Sequence, residues 1–128
     1  DYFRRMGDAI DSSNTSVKAI QEIQIRFLLA ASAAGVVELK MDEGDLRALL
    51  DKDEPELRRK MEISALASAA YAYRDFNDAD VLEYTEALEN EKMKTVYELM
   101  NAVQYEIMAN RFEVLAMRLA NLHTGQDI

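Results

Sequence analysis

The chain has 128 residues, of which 49% are hydrophobic and 30% charged, a composition typical of a globular domain and not of a disordered segment. It has no cysteine, which excludes disulfide scaffolds, cysteine nucleophiles and thiolate metal sites. Its formal net charge of -9 repels a phosphate backbone, and its densest basic cluster, residues 58–60, is flanked by Glu54, Glu56 and Glu62. We therefore expect no nucleic-acid partner.

One proline and four glycines leave few helix breaks, and the hydrophobic spacing predicts an all-α fold. We expect residues 1–128 to form a single-domain bundle of five or six helices with a long C-terminal helix. Residues 1–13 predict a short first helix, truncated or accessory to the rest. The polar run 11–16 is rich in helix-capping side chains, and the helix that follows it is expected to end near Gly35.

Two separate helices are predicted between residues 42 and 74. Asp42 is the expected cap of a short helix that buries Leu46, Leu49 and Leu50. Residues 53–56 then carry the signals of a new helix start, with Pro55 in the first turn. The second of these helices contains the small residues 64–70, which predict the closest helix crossing of the domain.

The last two helices are predicted from about Asp78 to Glu89, capped by Asn77, and from Glu91 to about Leu122. A straight helix over the second range would be about 48 Å long. A compact domain of this size is roughly 36 Å across. The terminal helix is therefore expected either to bend or to pack its excess length against another molecule.

Apolar residues form two stripes on the terminal helix. The first comprises Met93, Val96, Met100, Val103, Ile107 and Val114, and the second comprises Met108, Phe112, Leu115, Leu119 and Leu122. From these stripes we predict an interaction surface that consists of Met93, Met100, Ile107, Met108, Phe112, Leu115 and Leu119. The expected partner is an unknown protein or, in a homodimer, a second copy of this helix.

The stretch from 75 to 91 contains acids and no basic residue. It predicts an acidic docking face made of Asp75, Asp78, Asp80, Glu83 and Glu86, with a solvated helix face as the structural alternative. A calcium loop starting at Asp75 would need a central glycine and an oxygen ligand at its fifth position, where Ala79 stands. This spacing therefore argues against a calcium site.

Little in the sequence indicates catalysis. The only histidine, His123, follows the last apolar turn, where a helix C-terminus favours a histidine for electrostatic reasons. Carboxylate di-iron bundles need two Glu-x-x-His motifs, which one histidine cannot supply. We expect no catalytic residue, no metal site and no cofactor.

The sequence also bears on membranes and export. The longest apolar run, Phe27 to Val37, covers 11 residues, whereas a helical span needs about 20. We expect no transmembrane segment. The chain begins at Asp1 and not at an initiator methionine, from which we expect a processed or trimmed product.

From about Met41 to Leu122 the sequence resembles a bacterial family of uncharacterised helical proteins, domain of unknown function number twenty fifty-nine. The residues that carry this resemblance are 42–50, Pro55, Leu57, Arg58, Tyr71-Ala72-Tyr73-Arg74, 78–80, Leu82, Tyr84 and Leu88. Where members of the family often have a small-Pro-x-Gly turn, this chain has 89–92 instead. The resemblance implies an all-helical fold and a signal peptide for export, hence a periplasmic or secreted protein. It implies no activity.

Three functional hypotheses follow from these observations. The first is a non-catalytic interaction or structural module that acts through helix packing. The alternative is a module that holds a small apolar ligand between helices, lined by methionines and tyrosines, and it predicts an unfilled cavity of ligand size. The last, an enzyme that uses carboxylates alone, needs two acids with raised proton affinity in a cleft.

Overall fold

The computed structural model describes residues 1–11 and 14–124, with side chains up to Leu122, and this part of the chain forms five α-helices and no strand. The helices are α1 (Tyr2–Ile10), α2 (Thr15–Ala33), α3 (Glu43–Ala72), α4 (Asp78–Leu88) and α5 (Glu91–Thr124). The predicted all-α fold with a long C-terminal helix is confirmed. None of the described helices is long and apolar enough to cross a membrane.

The predicted limits of α2 are confirmed. At its start the carboxylate of Asp11 accepts hydrogen bonds from the backbone N–H groups of Thr15, at 2.8 Å, and of Ser16. Beyond its end Gly35 has a φ of 74°, a left-handed conformation that glycine adopts without steric cost. The N–H of Val36 returns to the carbonyl of Ala31 at 2.9 Å, which closes the helix end.

The prediction of two helices between residues 42 and 74 is wrong, because α3 runs unbroken from Glu43 to Ala72 with Pro55 inside it. A proline in a helix interior removes the hydrogen bond to the carbonyl four residues earlier. Here that carbonyl belongs to Asp51, and both Asp51 and Pro55 are exposed. Water can therefore bond to the freed carbonyl, and the helix continues.

The start of α4 and the length of α5 follow the prediction closely. The side chain of Asn77 accepts a hydrogen bond from the N–H of Asp80 at 2.9 Å, as expected of the cap residue. Two residues after the end of α4, Asn90 accepts from the N–H of Lys92 at 2.9 Å. Helix α5 then continues for 34 residues, a length of about 51 Å.

The described chain divides into two compact units. Unit 1 comprises residues 1–17 and 55–102, and unit 2 comprises residues 18–54 and the chain from Val103 onwards.

In unit 1, α1 packs against α4 around a buried apolar cluster of Met6, Ala9, Val81 and Leu88. Two polar contacts tie α1 to other parts of unit 1. The guanidinium of Arg5 donates two hydrogen bonds to the carboxylate of Glu89, at 2.9 and 2.8 Å. The side-chain amide of Asn101 donates to the carbonyl of Ile10 at 3.0 Å. The amphipathic sequence of α1 therefore forms a structural element of unit 1.

In unit 2 the buried apolar residues come from α2, from the first part of α3 and from the second part of α5, and they are Ile23, Ile25, Ala31, Leu46, Ala109 and Ala116. The buried amide of Gln21 donates to the carbonyl of Leu50 at 2.9 Å, which ties α2 to α3. Arg47 of α3 links the same two helices through hydrogen bonds to Glu22 of α2, the shorter at 2.9 Å, and it also bonds to Glu43 within α3 at 2.8 Å.

Candidate interaction surfaces

Within unit 2, one side of α5 covers the core. Ala109 and Ala116 are 3% and 0% exposed, and their small side chains allow the helix to lie close to its neighbours. Phe112 on the same side meets Phe27 of α2 edge to face, with the ring centroids 6.1 Å apart. Arg26 of α2 adds an ion pair to Glu106 at 2.9 Å. This side of α5 is therefore bound to its own chain.

The opposite side of α5 is apolar as well, and it is exposed. Val103, Ile107, Val114 and Met117 are 60%, 46%, 40% and 52% exposed. Because each residue of an α-helix turns by about 100°, these four lie on the side away from Ala109 and Ala116. We call them the outer stripe. A surface helix of a monomeric protein normally places polar residues on this side, so the stripe is unusual for an isolated chain.

The outer stripe has the spacing of a coiled-coil seam. From Val103 the steps to Ile107, to Asn110, to Val114 and to Met117 are four, three, four and three residues. This alternation repeats every seven residues and is the pattern by which one helix packs along another. The seam contains one polar residue, Asn110, which is also exposed.

The structure distributes the seven residues of the predicted interaction surface over different environments. Met93 packs against the buried cluster of unit 1. Met108 and Leu119 are half-buried, and Phe112 contacts Phe27. Met100, Ile107 and Leu115 are exposed. The predicted set thus combined core-facing and outward-facing residues, and it left out Val103, Val114 and Met117. Residues on both sides repeat every seven positions, as Ala109 and Ala116 do on the covered side and Ile107 and Val114 on the exposed side, so the spacing alone does not separate the two sides.

Unit 1 contains a cavity of about 540 Å³ between α1, the start of α2 and the second half of α3. Its walls are mainly apolar and include Phe3, Met6, Ile10, Met61 and Leu66. The charged residues in its lining are Arg4, Asp8, Asp11, Arg58 and Glu62. A partly open apolar cavity of this volume has the size and composition of a small-molecule site.

The small residues of α3 explain part of this cavity. Residues 64–70 are mostly exposed, so the close helix crossing predicted there is wrong. Ala65 and Ala69 instead line the cavity, because their short side chains do not reach the residues of α1 opposite them. The alternative hypothesis expected methionines and tyrosines around a ligand; among the described lining residues are Met6 and Met61, and no tyrosine.

The predicted acidic docking face lies around α4. Asp75 precedes the helix, Asp78 and Asp80 form its first turn, and Glu83 and Glu86 follow. All five side chains are exposed, and Asp80, Glu83 and Glu86 lie on the side away from the buried residues of α4, which are Val81, Thr85 and Leu88. The positive end of the helix dipole stabilises the acidic residues of the first turn.

Three tyrosines of unit 1, Tyr73, Tyr84 and Tyr97, form a cluster. Tyr73 lies between Phe3, at a centroid distance of 6.2 Å, and Tyr84, at 5.7 Å. Burial raises the pKa of Tyr73 and of Tyr97, and hydrogen bonding to Tyr84 raises both pKa values further. The raised pKa values keep the phenols of Tyr73 and Tyr97 protonated, and the cluster has a structural role in unit 1.

The carboxylates of Glu22, Glu56 and Glu89 are each paired with a basic side chain. No group of three His, Asp or Glu residues in the described part of the chain is placed to hold a metal ion. Hydrogen bonds from Arg47, Lys60 and Arg5 lower the pKa values of Glu22, Glu56 and Glu89, respectively. A general acid needs the opposite shift. The side chain of His123 lies outside the part that the structure describes.

Comparisons with protein-family models, with curated proteins and with solved structures found no match for this chain. The resemblance of residues 41–122 to domain of unknown function number twenty fifty-nine stays a prediction.

Proposed function

We propose that this protein is a non-catalytic interaction module that binds another protein through the outer stripe of α5. The observation that carries the proposal is the presence of apolar residues on both sides of one helix. Ala109 and Ala116 are covered by unit 2, whereas Val103, Ile107 and Val114 are exposed. Covering the exposed side would remove apolar surface from water at roughly 25 cal/mol per Å².

The setting of this module is part of the proposal. The resemblance described above implies export, and we propose that the protein works in the periplasm or outside the cell. An acidic protein with a formal net charge of -9 repels other acidic surfaces, so the apolar stripe supplies the attraction in this proposal.

A photoreactive amino acid in place of Ile107 tests the proposal in the organism that encodes the protein. On irradiation we expect it to form a covalent adduct with a protein, because the side chain lies in the middle of the stripe. The matched control is the same amino acid in place of Lys52, an exposed residue of α3 in the same unit. Equal adducts at both positions, or none at position 107, would contradict the proposal.

The cavity of unit 1 supports a second candidate function, the binding of a small apolar ligand. Its volume of about 540 Å³ and its mainly apolar walls, which include Met6 and Met61, support this candidate. The hydrophobic dye N-phenyl-1-naphthylamine tests it, because its fluorescence rises when it enters an apolar site. Ala65→Phe should fill the cavity and abolish the signal. Ala67→Phe, on the same helix and outside the cavity lining, should leave the signal unchanged; loss in both variants would rule the cavity out.

A further inference from the structure

We propose that the partner of the outer stripe is the same stripe of a second copy of this chain, paired in parallel and in register. This inference rests on the proposed function and adds the identity and orientation of the partner. It is carried by the charged residues that flank the stripe, which complement each other in one orientation only.

The acids lie along one edge of the outer stripe and the bases along the other. Glu106 and Glu113 directly precede Ile107 and Val114, the stripe residues that begin each seven-residue repeat. Arg111 and Arg118 directly follow Asn110 and Met117. These four positions are the ones that meet across a two-stranded coiled coil and select its orientation.

In a parallel pair, each acid meets the residue five positions later on the other helix. Glu106 then faces Arg111 of the second copy, and Glu113 faces Arg118, so that the symmetric pair has four attractive contacts. In an antiparallel pair the acids face acids and the arginines face arginines, which is repulsive. The placement of the acids and the arginines along opposite edges of the outer stripe therefore favours the parallel arrangement.

The contacts within one protomer leave these groups able to pair. Arg111 and Arg118 are exposed, and neither forms an ion pair with another side chain of the described residues. Glu106 and Glu113 are contacted by Arg26, at 2.9 and 3.8 Å. A carboxylate can accept about four hydrogen bonds, and the side chain of Glu106 is 58% exposed. It can therefore bind a second guanidinium.

The stripe itself is consistent with a two-stranded seam in register. Ile107 and Val114 are β-branched residues at the positions where parallel dimers favour them. Asn110 lies opposite itself in the register proposed here, where the two side-chain amides can hydrogen-bond to each other. A shift by one repeat would place each amide against Val103 or Met117 and leave it unpaired, so Asn110 fixes the register.

Charge reversal tests the proposed pairing. Arg111→Glu together with Arg118→Glu should raise the dissociation constant of the dimer about 100-fold, because four attractive contacts become repulsive. Adding Glu106→Arg and Glu113→Arg to that variant, together with Arg26→Glu to keep the ion pairs between α2 and α5, should restore dimerisation to within about tenfold of the original chain. The control Lys40→Glu with Lys52→Glu changes the net charge equally and lies on exposed residues outside α5, so it should have little effect.

Cysteine crosslinking tests the orientation, since the chain has no cysteine of its own. Val103→Cys and Met117→Cys should each form a disulfide-linked dimer alone. In an antiparallel pair centred on Asn110, residue 103 of one chain lies opposite residue 117 of the other. A mixture of the two variants would then form a mixed disulfide-linked dimer and neither variant would crosslink alone, a result that would overturn the parallel arrangement.

A chain that stays monomeric at high concentration would overturn self-pairing altogether. In that case an adduct from the photoreactive group at position 107 would still support the proposed function with a different partner. The absence of both dimer and adduct would reject the two proposals together.

Discussion

The buried cluster of unit 1 and the outer stripe of α5 are both apolar, but only the cluster is covered by its own chain. Leu88 in the cluster is 2% exposed, whereas Val103 in the stripe is 60% exposed. Burial against the same chain contributes to the free energy of unfolding, and burial against another chain contributes to association. The two regions should therefore respond to substitution in different measurements.

Leu88→Ala should have the largest effect on folding. Leu88 is among the largest fully buried side chains of the described residues, and its truncation leaves a cavity beside Val81 and Met6. We expect a loss of about 2–5 kcal/mol in the free energy of unfolding, measured by urea denaturation. Leu99→Ala, at an exposed position of the same unit, is the matched control and should cost little. A loss below about 1 kcal/mol for Leu88→Ala would contradict the assignment of this cluster as the core.

Asn110→Val should affect association and not folding. It replaces the one polar residue of the proposed seam, and burying a side-chain amide costs more than burying an apolar side chain of similar size. We expect the dissociation constant to fall by about tenfold, or 1.4 kcal/mol, in sedimentation equilibrium. An unchanged dissociation constant would contradict the placement of Asn110 in the interface, and weaker association would contradict the cost assigned to its amide.

Asn77→Ala should have a smaller effect, confined to unit 1. The substitution removes the side-chain acceptor for the N–H of Asp80 at the start of α4. We expect a loss of about 1 kcal/mol in the free energy of unfolding, measured by chemical denaturation. Asn77→Asp keeps an acceptor and should retain most of that stability; an equal loss in both variants would contradict the capping role.

The ion pair of Glu22 with Arg47 should give the smallest effect, and one that depends on pH. The hydrogen bond from Arg47 lowers the pKa of Glu22. The contribution of this ion pair to the free energy of unfolding is therefore fully present above the ordinary glutamate pKa of about 4.3. It is lost as the pH falls through the lowered pKa of Glu22. Glu22→Gln should lower the stability by at most about 1 kcal/mol near neutral pH, because the pair is partly exposed and screened.

Thermal melting at about pH 7 and about pH 2.5 checks this sign. The difference between the original chain and Glu22→Gln should shrink at the lower pH. Asp51→Asn, at a neighbouring exposed position that forms no ion pair with a described side chain, should give no such change in the difference. A difference that grows on acidification would contradict the assignment.

Local signals in the sequence predicted local structure well. Asn77 and Gly35 act through neighbouring backbone groups, so the start of α4 and the end of α2 could be predicted from a few residues. Pro55 gave the wrong prediction because its effect depends on whether the carbonyl of Asp51 can reach water, which is a property of the folded chain.

The candidate sites depended more on tertiary packing. The spacing on α5 showed two apolar stripes but not which of them unit 2 covers. Only the folded structure separates Ala116 from Val114. The cavity likewise depends on the separation of α1 from Ala65 and Ala69, which no pattern within either helix determines.

Native mass spectrometry over a concentration series tests the central claim, that the outer stripe is an interface between chains. The original chain should give a species of twice 14.6 kDa that persists on dilution. The variant with Val103→Ser, Ile107→Ser and Val114→Ser should remain at the protomer mass with an unchanged helical circular dichroism spectrum. Equal dimer fractions in both proteins, or a monomer in both at high concentration, would contradict the account.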